Sequence, residues 1–213
     1  GDAQANNMKD SGLNGIVGLK EGGTSWKKAN SDGHKVMSVS DACKQGDIIH
    51  ILLPDMIQSQ VYKDEIEPFL SSGKALSFSH AAAIHWKWIE APNNVDIIMV
   101  APKGPGSKVR ETYLENFGTP SIVAVHQDFT GKAWDRTLGI GKAIGSARAG
   151  LIQTTFQEEV ETDWFGEQAD LCGGSASMVK AAFETLVESG YQPEIAYFEV
   201  LHELKLIVDL IQR

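Results

Sequence analysis

Four carboxylates in this chain fall into two pairs, each with a spacing of four. Asp163 and Glu167 lie in Glu161-Thr-Asp-Trp-Phe-Gly-Glu-Gln168. Glu199 and Glu203 lie in Ala196-Tyr-Phe-Glu-Val-Leu-His-Glu-Leu-Lys-Leu-Ile-Val-Asp-Leu-Ile211. On a helix, residues four apart share a face, so each pair aims two acids at one place. The second segment is apolar around nearly its whole circumference, which predicts a buried helix. Like charges in a buried place repel and are poorly solvated unless a cation or a shared proton compensates them. Carboxylate oxygens suit Mg²⁺, a hard ion that keeps several waters. The plainer reading is that the acids form the solvated faces of ordinary helices; the apolar setting of both pairs together favours metal.

These residues must be held by something. Short β-rich runs alternate with helical patterns up to about residue 150: strands at 15–19, 47–53, 75–79, 95–100 and 121–126, helices at 2–9, 25–31, 56–69, 108–116 and 132–146. Such alternation predicts an α/β fold of Rossmann type, a parallel sheet with helices on both faces. Asp47-Ile-Ile-His-Ile-Leu-Leu-Pro54 is apolar on both faces, as a central parallel strand is. The segment 145–150, with a glycine at each end, reads as a hinge. After it the pattern is almost entirely helical (162–171, 176–189, 193–211), which places a domain boundary near residue 150.

With 213 residues and 42% apolar content the chain suits one large or two smaller globular domains. A formal charge of −9 argues against a nucleic-acid surface. No run is apolar enough to span a bilayer, and the first residues do not read as a signal peptide. Cys43 and Cys172 are too few and too far apart for a disulfide scaffold, and read as buried residues of a reducing, cytoplasmic protein. The chain opens on Gly1 without Met and closes without a stop signal, so it reads as a fragment, and one expected to be inactive alone.

In a nucleotide-binding βαβ unit the residues after the second strand meet the adenosine ribose. Here Lys20-Glu-Gly-Gly-Thr-Ser-Trp-Lys-Lys28 supplies three lysines and two hydroxyls, a candidate phosphate pocket; Ser25 is alternatively a helix cap. Asp55, after the apolar strand, reads as a helix N-cap and as a candidate cofactor contact at a strand top. Ala101-Pro-Lys-Gly-Pro-Gly106 makes a rigid turn that lifts Lys103 off a strand end, where active sites of open sheets lie, with Gly106 beside the same crevice.

Ala101-Pro-Lys-Gly-Pro-Gly106, Glu161-Thr-Asp-Trp-Phe-Gly-Glu-Gln168 and Leu201-His-Glu-Leu-Lys-Leu-Ile-Val-Asp-Leu210 closely resemble the ketol-acid reductoisomerase (acetohydroxy acid isomeroreductase) family in its short form. The similarity runs in order through essentially the whole chain. It implies an Mg²⁺- and NADPH-dependent enzyme of branched-chain amino-acid synthesis. Such an enzyme converts 2-acetolactate or 2-aceto-2-hydroxybutanoate by an alkyl shift and then a hydride transfer. The implied fold is a Rossmann domain (1–150) followed by a helical, knotted domain (from 151), truncated here, whose protomers pair through the helical domain. By the resemblance, Asp163 and Glu167 are ligands of two Mg²⁺ ions, and Glu199 and Glu203 the carboxylates supplied by the partner subunit. Lys103 and His80 belong to the catalytic centre, Lys20 and Ser25 to the 2′-phosphate loop, and Gly1 is the last glycine of the phosphate fingerprint.

Two departures stand out. Ala81-Ala-Ala83 follows the histidine where the family usually has Gly-Phe-Asn, and Lys20 replaces the usual arginine. Lysine is a point charge without a bidentate fork, so a weaker preference for NADPH over NADH is expected. The alternatives are a metal-independent NADP-dependent dehydrogenase of the 3-hydroxy acid type, separable by Mg²⁺ dependence, and a non-catalytic dinucleotide-binding module, which leaves the paired acids unexplained.

Overall fold

The computed structural model describes residues 1–211 and divides into two compact units, Gly1–Val160 and Glu161 onward. In the first, α1 (Asp2–Asp10) leads to β1 (Ile16–Gly18), α2 (Thr24–Ser31), β2 (Lys35–Met37) and α3 (Val39–Gln45). Next come β3 (Ile48–Ile51), α4 (Asp55–Val61), β4 (Ala75–Phe78), α5 (Ala82–His85), β5 (Asp96–Pro102) and α6 (Gly106–Leu114). β6 (Ser121–Gln127), α7 (Ala133–Ala143), β7 (Leu151–Gln153) and the start of α8 (Phe156–Gly166) complete it. β2, α3, α5 and β7 were not anticipated. The first three span only three to seven residues and the last three, too short for periodicity to register.

β1 and β2 pair in parallel, and a second sheet runs in the order β3-β4-β5-β6-β7. β3, β4 and β5 are mutually parallel. The expectation of a wholly parallel sheet needs correction at β6, which is antiparallel to β5, with β7 parallel to β6. The cause lies in the connection. α6 packs on α1 instead of crossing the sheet. The chain therefore returns where it left: Lys103 N–H donates to Pro120 C=O at 2.9 Å, and Pro102 is opposite Ser121.

β5 shows why the sheet is central. Ile97, Met99 and Ala101 face one core cluster with Leu76, Phe78 and Tyr62, while Ile98 and Val100 face another with Val123, Ile140 and Ile144. Alternate side chains bury opposite faces, so helices must cover both. Asp96, wholly buried at the start of β5, accepts from the amides of Phe129 and Thr130, from Thr130 Oγ1 and from Arg136 Nη1, the last at 2.7 Å. Burial pushes its pKa up, but these donors and the guanidinium outweigh it, and the carboxyl sits below its ordinary value.

The segment read as a hinge is packed. Ser121 Oγ donates to buried Ser146 Oγ at 2.7 Å, and the Arg148 guanidinium lies 4.5 Å from the centre of the Tyr113 ring. The two compact units part within α8, where Phe156, Glu159 and Val160 are buried in the first unit.

The second unit holds the rest of α8, α9 (Gly173–Glu188), α10 (Pro193–Tyr197) and α11 (Glu203–Ile211). Its helices are interrupted by π-helical turns at Glu167–Leu171 and Phe198–His202, where unbroken helices were expected. A third π turn, Tyr62–Ile66, interrupts the predicted helix 56–69. Of residues 193–211 only Ala196 is buried, and Leu206, Ile207, Val208, Leu210 and Ile211 are exposed, so the face expected to be buried is uncovered among the described residues. An apolar cavity of about 530 Å³ between α9 and the segment 197–204 is lined by Ala176, Val179, Phe183, Tyr197, Val200 and Leu204. Cys43 is buried as expected; Cys172, at the bend after the π turn, is exposed. Among the described residues no helix is long and apolar enough to cross a membrane.

Candidate active site

The candidates of the first unit follow the C-terminal ends of parallel strands, the ligand side of an open α/β sheet. Asp55 comes after β3, His80 after β4 and Lys103 after β5. An ideal Cβ on Gly1, the N-cap of α1, would stand 3.8 Å from Leu52 Cβ, which places the start of this nine-residue helix beside the end of β3. The unpaired amides of a helix start favour anions. Lys20, exposed, and Ser25 flank the turn between β1 and α2, in which Gly22 takes φ +75°. Ser25 is not the cap, since Gly23 occupies the N-cap and Ser25 is the second helical residue. Asp55 likewise is the first residue of α4, not its N-cap; Pro54 holds that position, and Asp55 Oδ1 accepts from Gln58 Nε2 at 2.9 Å. Gly106 opens α6 after Pro105.

A residue absent from the sequence reading joins two of these. Glu159, on the first turns of α8, is 1% exposed. Its Oε2 accepts from Ala81 N–H at 2.8 Å, and its Oε1 accepts from Lys103 Nζ at 3.2 Å. His80 Nδ1 stands 3.2 Å from Oε2 and 3.3 Å from Oε1. Burial would raise the Glu159 pKa. The hydrogen bonds from His80 and Ala81, with the charges of His80 and Lys103, outweigh it and hold the carboxyl below its ordinary value. Ala81, Ala82 and Ala83, at the start of α5, are 0, 0 and 1% exposed. The result is an ionised carboxylate that fixes an imidazole and an ammonium at the end of the sheet.

Beneath α1 runs a second polar chain. Gln4 Nε2 donates to Ser79 Oγ at 3.0 Å, so its Oε1 faces His50 Nε2 at 2.9 Å, which makes that nitrogen the donor. Ser77 Oγ then donates to His50 Nδ1 at 2.8 Å. Burial pushes the His50 pKa down to about 4, and the ring is neutral.

In the second unit Asp163 is half-buried, whereas Glu167, Glu199 and Glu203 are exposed. Asp163 stands one turn beyond Glu159 on α8, and Glu167 opens the first π turn. Glu199 lies within the second π turn and Glu203 directly after it. The donor set is hard oxygen throughout, the chemistry Mg²⁺ accepts.

Residues 1–150 match the family described as acetohydroxy acid isomeroreductase, NADPH-binding domain, and residues 156–213 match ketol-acid reductoisomerase, C-terminal domain. The chain belongs to the ketol-acid reductoisomerase family. It is 87% identical over its whole length to the ketol-acid reductoisomerase (NADP(+)) of Nitrosopumilus maritimus, covering 64% of that protein. To the Methanocaldococcus jannaschii ketol-acid reductoisomerase (NADP(+)) it is 62% identical over 211 residues, 99% of the chain and 64% of the relative. The structure of an NADH-preferring ketol-acid reductoisomerase from an uncultured archaeon superposes with a TM-score of 0.96 at 49% identity, covering 100% of this chain and 66% of that one. The chain thus spans about two thirds of the length of the relatives it matches.

Proposed function

We propose that the protein carrying this chain is an Mg²⁺- and NADPH-dependent ketol-acid reductoisomerase. Its substrate is 2-acetolactate or 2-aceto-2-hydroxybutanoate, and its product the 2,3-dihydroxy acid of valine, leucine and isoleucine synthesis. The observation that carries the reading is the buried Glu159 carboxylate that holds both His80 and Lys103 at the sheet's ligand edge. NADPH takes the first unit, with its pyrophosphate at the start of α1 by Gly1, its 2′-phosphate by Lys20 and Ser25, and its remaining contacts by Asp55 and Gly106. Asp163 and Glu167 hold two Mg²⁺ ions, with Glu199 and Glu203 supplied by a second copy, so the active protein is at least a cytoplasmic homodimer. When bound, Mg²⁺ supplies Lewis-acid polarisation and a template for the substrate oxygens.

This chain's residues do the rest. Lys103, held by Glu159, donates hydrogen bonds to substrate oxygens as negative charge develops on them. His80, turned by the same carboxylate through Nδ1, orients the substrate's reacting carbon toward the nicotinamide. Glu159 stays ionised and moves no proton; its work is to hold the His80 ring and the Lys103 ammonium together. The loop 20–25 sets cofactor preference, and a lysine there grips a 2′-phosphate less specifically than arginine does. The NADH preference named for the archaeal relative is consistent with variation at this property within the family.

The test is 2-acetolactate-dependent NADPH oxidation by the protein at its natural length, with and without Mg²⁺. Turnover that chelator abolishes is expected. Turnover indifferent to chelator would instead favour the metal-independent dehydrogenase.

A further inference from the structure

π-helical turns are rare and accumulate at functional sites. Two of the three among the described residues coincide with the two carboxylate pairs. In the first, the carbonyl of Glu167 itself accepts the wide-turn hydrogen bond, from Cys172 N–H at 2.9 Å. In the second, the amide of Glu203 donates to the carbonyl of Phe198. Each pair therefore includes a residue whose own backbone closes a wide turn. Such a turn carries one residue more than the ordinary ladder, and it lasts only where its surroundings hold it.

At the first turn the surroundings are explicit. The chain bends at Cys172, and the start of α9 presses back on the turn's carbonyls in register. A Cβ on Gly173 would lie 2.5 Å from the Gln168 oxygen. One on Gly174 would lie 2.0 Å from the Ala169 oxygen and 2.8 Å from its carbon. Ser175 Oγ donates to the Asp170 oxygen at 2.5 Å. Residues 172 to 175 thus meet the carbonyls of 167 to 170 one after another, each at a separation of five.

We propose that Gly173-Gly174-Ser175 is a positioning element that holds the Glu167–Leu171 turn wide and thereby fixes the Glu167 carboxylate for Mg²⁺. The inference rests on the reading of Glu167 as a metal ligand. The two glycines act by what they lack, because the atoms opposite are backbone and have no rotamer by which to withdraw. A methyl group at 174 forces the Ala169 carbonyl away by roughly 1 Å, beyond the tolerance of about 0.5 Å within which a preorganised site works. Mg²⁺ demands near-ideal octahedral geometry and does not follow a displaced ligand as a larger ion would. Ser175 acts by what it adds, a hydroxyl on the carbonyl that the wide turn exposes. Gly174→Ala, Ser175→Ala and Glu167→Gln separate these roles.

The experiment is calorimetric titration of Mg²⁺ into the protein at natural length, without substrate, alongside its NADPH affinity and thermal midpoint. Met178→Ala, an exposed position on α9, is the control. Gly174→Ala is expected to weaken Mg²⁺ binding by roughly 10- to 100-fold, the range for residues that orient ligands. Ser175→Ala is expected to weaken it several-fold, and NADPH affinity to stay unchanged in both. If Gly174→Ala fails to fold, Ser175→Ala decides alone, since it removes an oxygen and adds nothing. Wild-type Mg²⁺ affinity in the folded glycine and serine variants, with binding lost in Glu167→Gln, overturns the clamp and leaves the metal assignment standing. Wild-type affinity in Glu167→Gln removes the metal assignment and the clamp with it.

Discussion

The two units treat their acids in opposite ways. In the first, Asp96 is wholly buried and Glu159 is 1% exposed; two amides and Arg136 meet Asp96, and the Ala81 amide and Lys103 meet Glu159. In the second, Glu167, Glu199 and Glu203 are exposed and the apolar residues around them are uncovered. A buried carboxylate is tolerated only when donors replace its water, so the first unit's acids are bound up with its folding. An exposed carboxylate costs the fold little and can be spent on a cation. The first unit's acids are held by its own donors, whereas the second carries Glu167, Glu199 and Glu203 exposed on and beside wide helical turns.

The comparison breaks most visibly where an internally satisfied acid is removed. Asp96→Ala leaves Arg136, two amides and a hydroxyl without their acceptor, and is expected to destabilise the protein by about 3–5 kcal/mol in denaturant unfolding. Loss under 1 kcal/mol would mean that solvent readily replaces it. Glu159→Gln keeps the shape but removes the charge shared by His80 and Lys103. A loss of about 2 kcal/mol is expected, the scale of a hydrogen bond to a charged group, with a fall in turnover of at least about 100-fold at unchanged NADPH affinity.

pH sharpens the same contrast. His50 is neutral in the fold with a pKa pushed down to about 4, whereas the unfolded ring takes its proton near 6.5. The unfolded state therefore binds more protons between those values, and stability falls as pH drops from about 6.5 toward 4. The ceiling is about 3 kcal/mol at 1.36 kcal/mol per unit, and part of it comes from the charged Gly1 amino group, which adds to burial in holding the ring neutral. His50→Gln should flatten this window. Asp96 and Glu159 are held low, so their contribution is full above the ordinary carboxylate range and lost below it, and the two phases separate. The smallest expected effect on stability is that of Glu167→Gln, within about 0.5 kcal/mol, as for other exposed positions.

Much of this was legible in the residues. The apolar run 47–54 announced a central strand buried on both faces, but β3 stands at the edge of its sheet and is mostly half-buried. The strand buried on both faces is β5, and the Pro/Gly turn after it did announce a strand-end lysine. Glu159 was missed although it stands four before Asp163 and eight before Glu167. Glu158, Glu161 and Asp163 crowd the same stretch, and acids at such density read as a solvated face. Glu159 is held by His80, Ala81 and Lys103, 79, 78 and 56 residues away in sequence, which local pattern cannot express. The direction of β6 was illegible for a similar reason: it depends on α6 packing against α1, a contact between distant segments. The π turns left no trace because each spans only five residues, and one inserted position in so short a stretch breaks no pattern.

The most direct measurement is thermal unfolding of the protein at natural length, with and without Mg²⁺, for wild type, Glu159→Gln and Glu167→Gln. Metal that binds only the native state must raise the midpoint. The account predicts a raised midpoint with Mg²⁺ in wild type, a lowered metal-free midpoint in Glu159→Gln, and an unchanged metal-free midpoint with no Mg²⁺ response in Glu167→Gln. A Glu167→Gln protein that Mg²⁺ still stabilises as it does the wild type would contradict the division of labour between the two units.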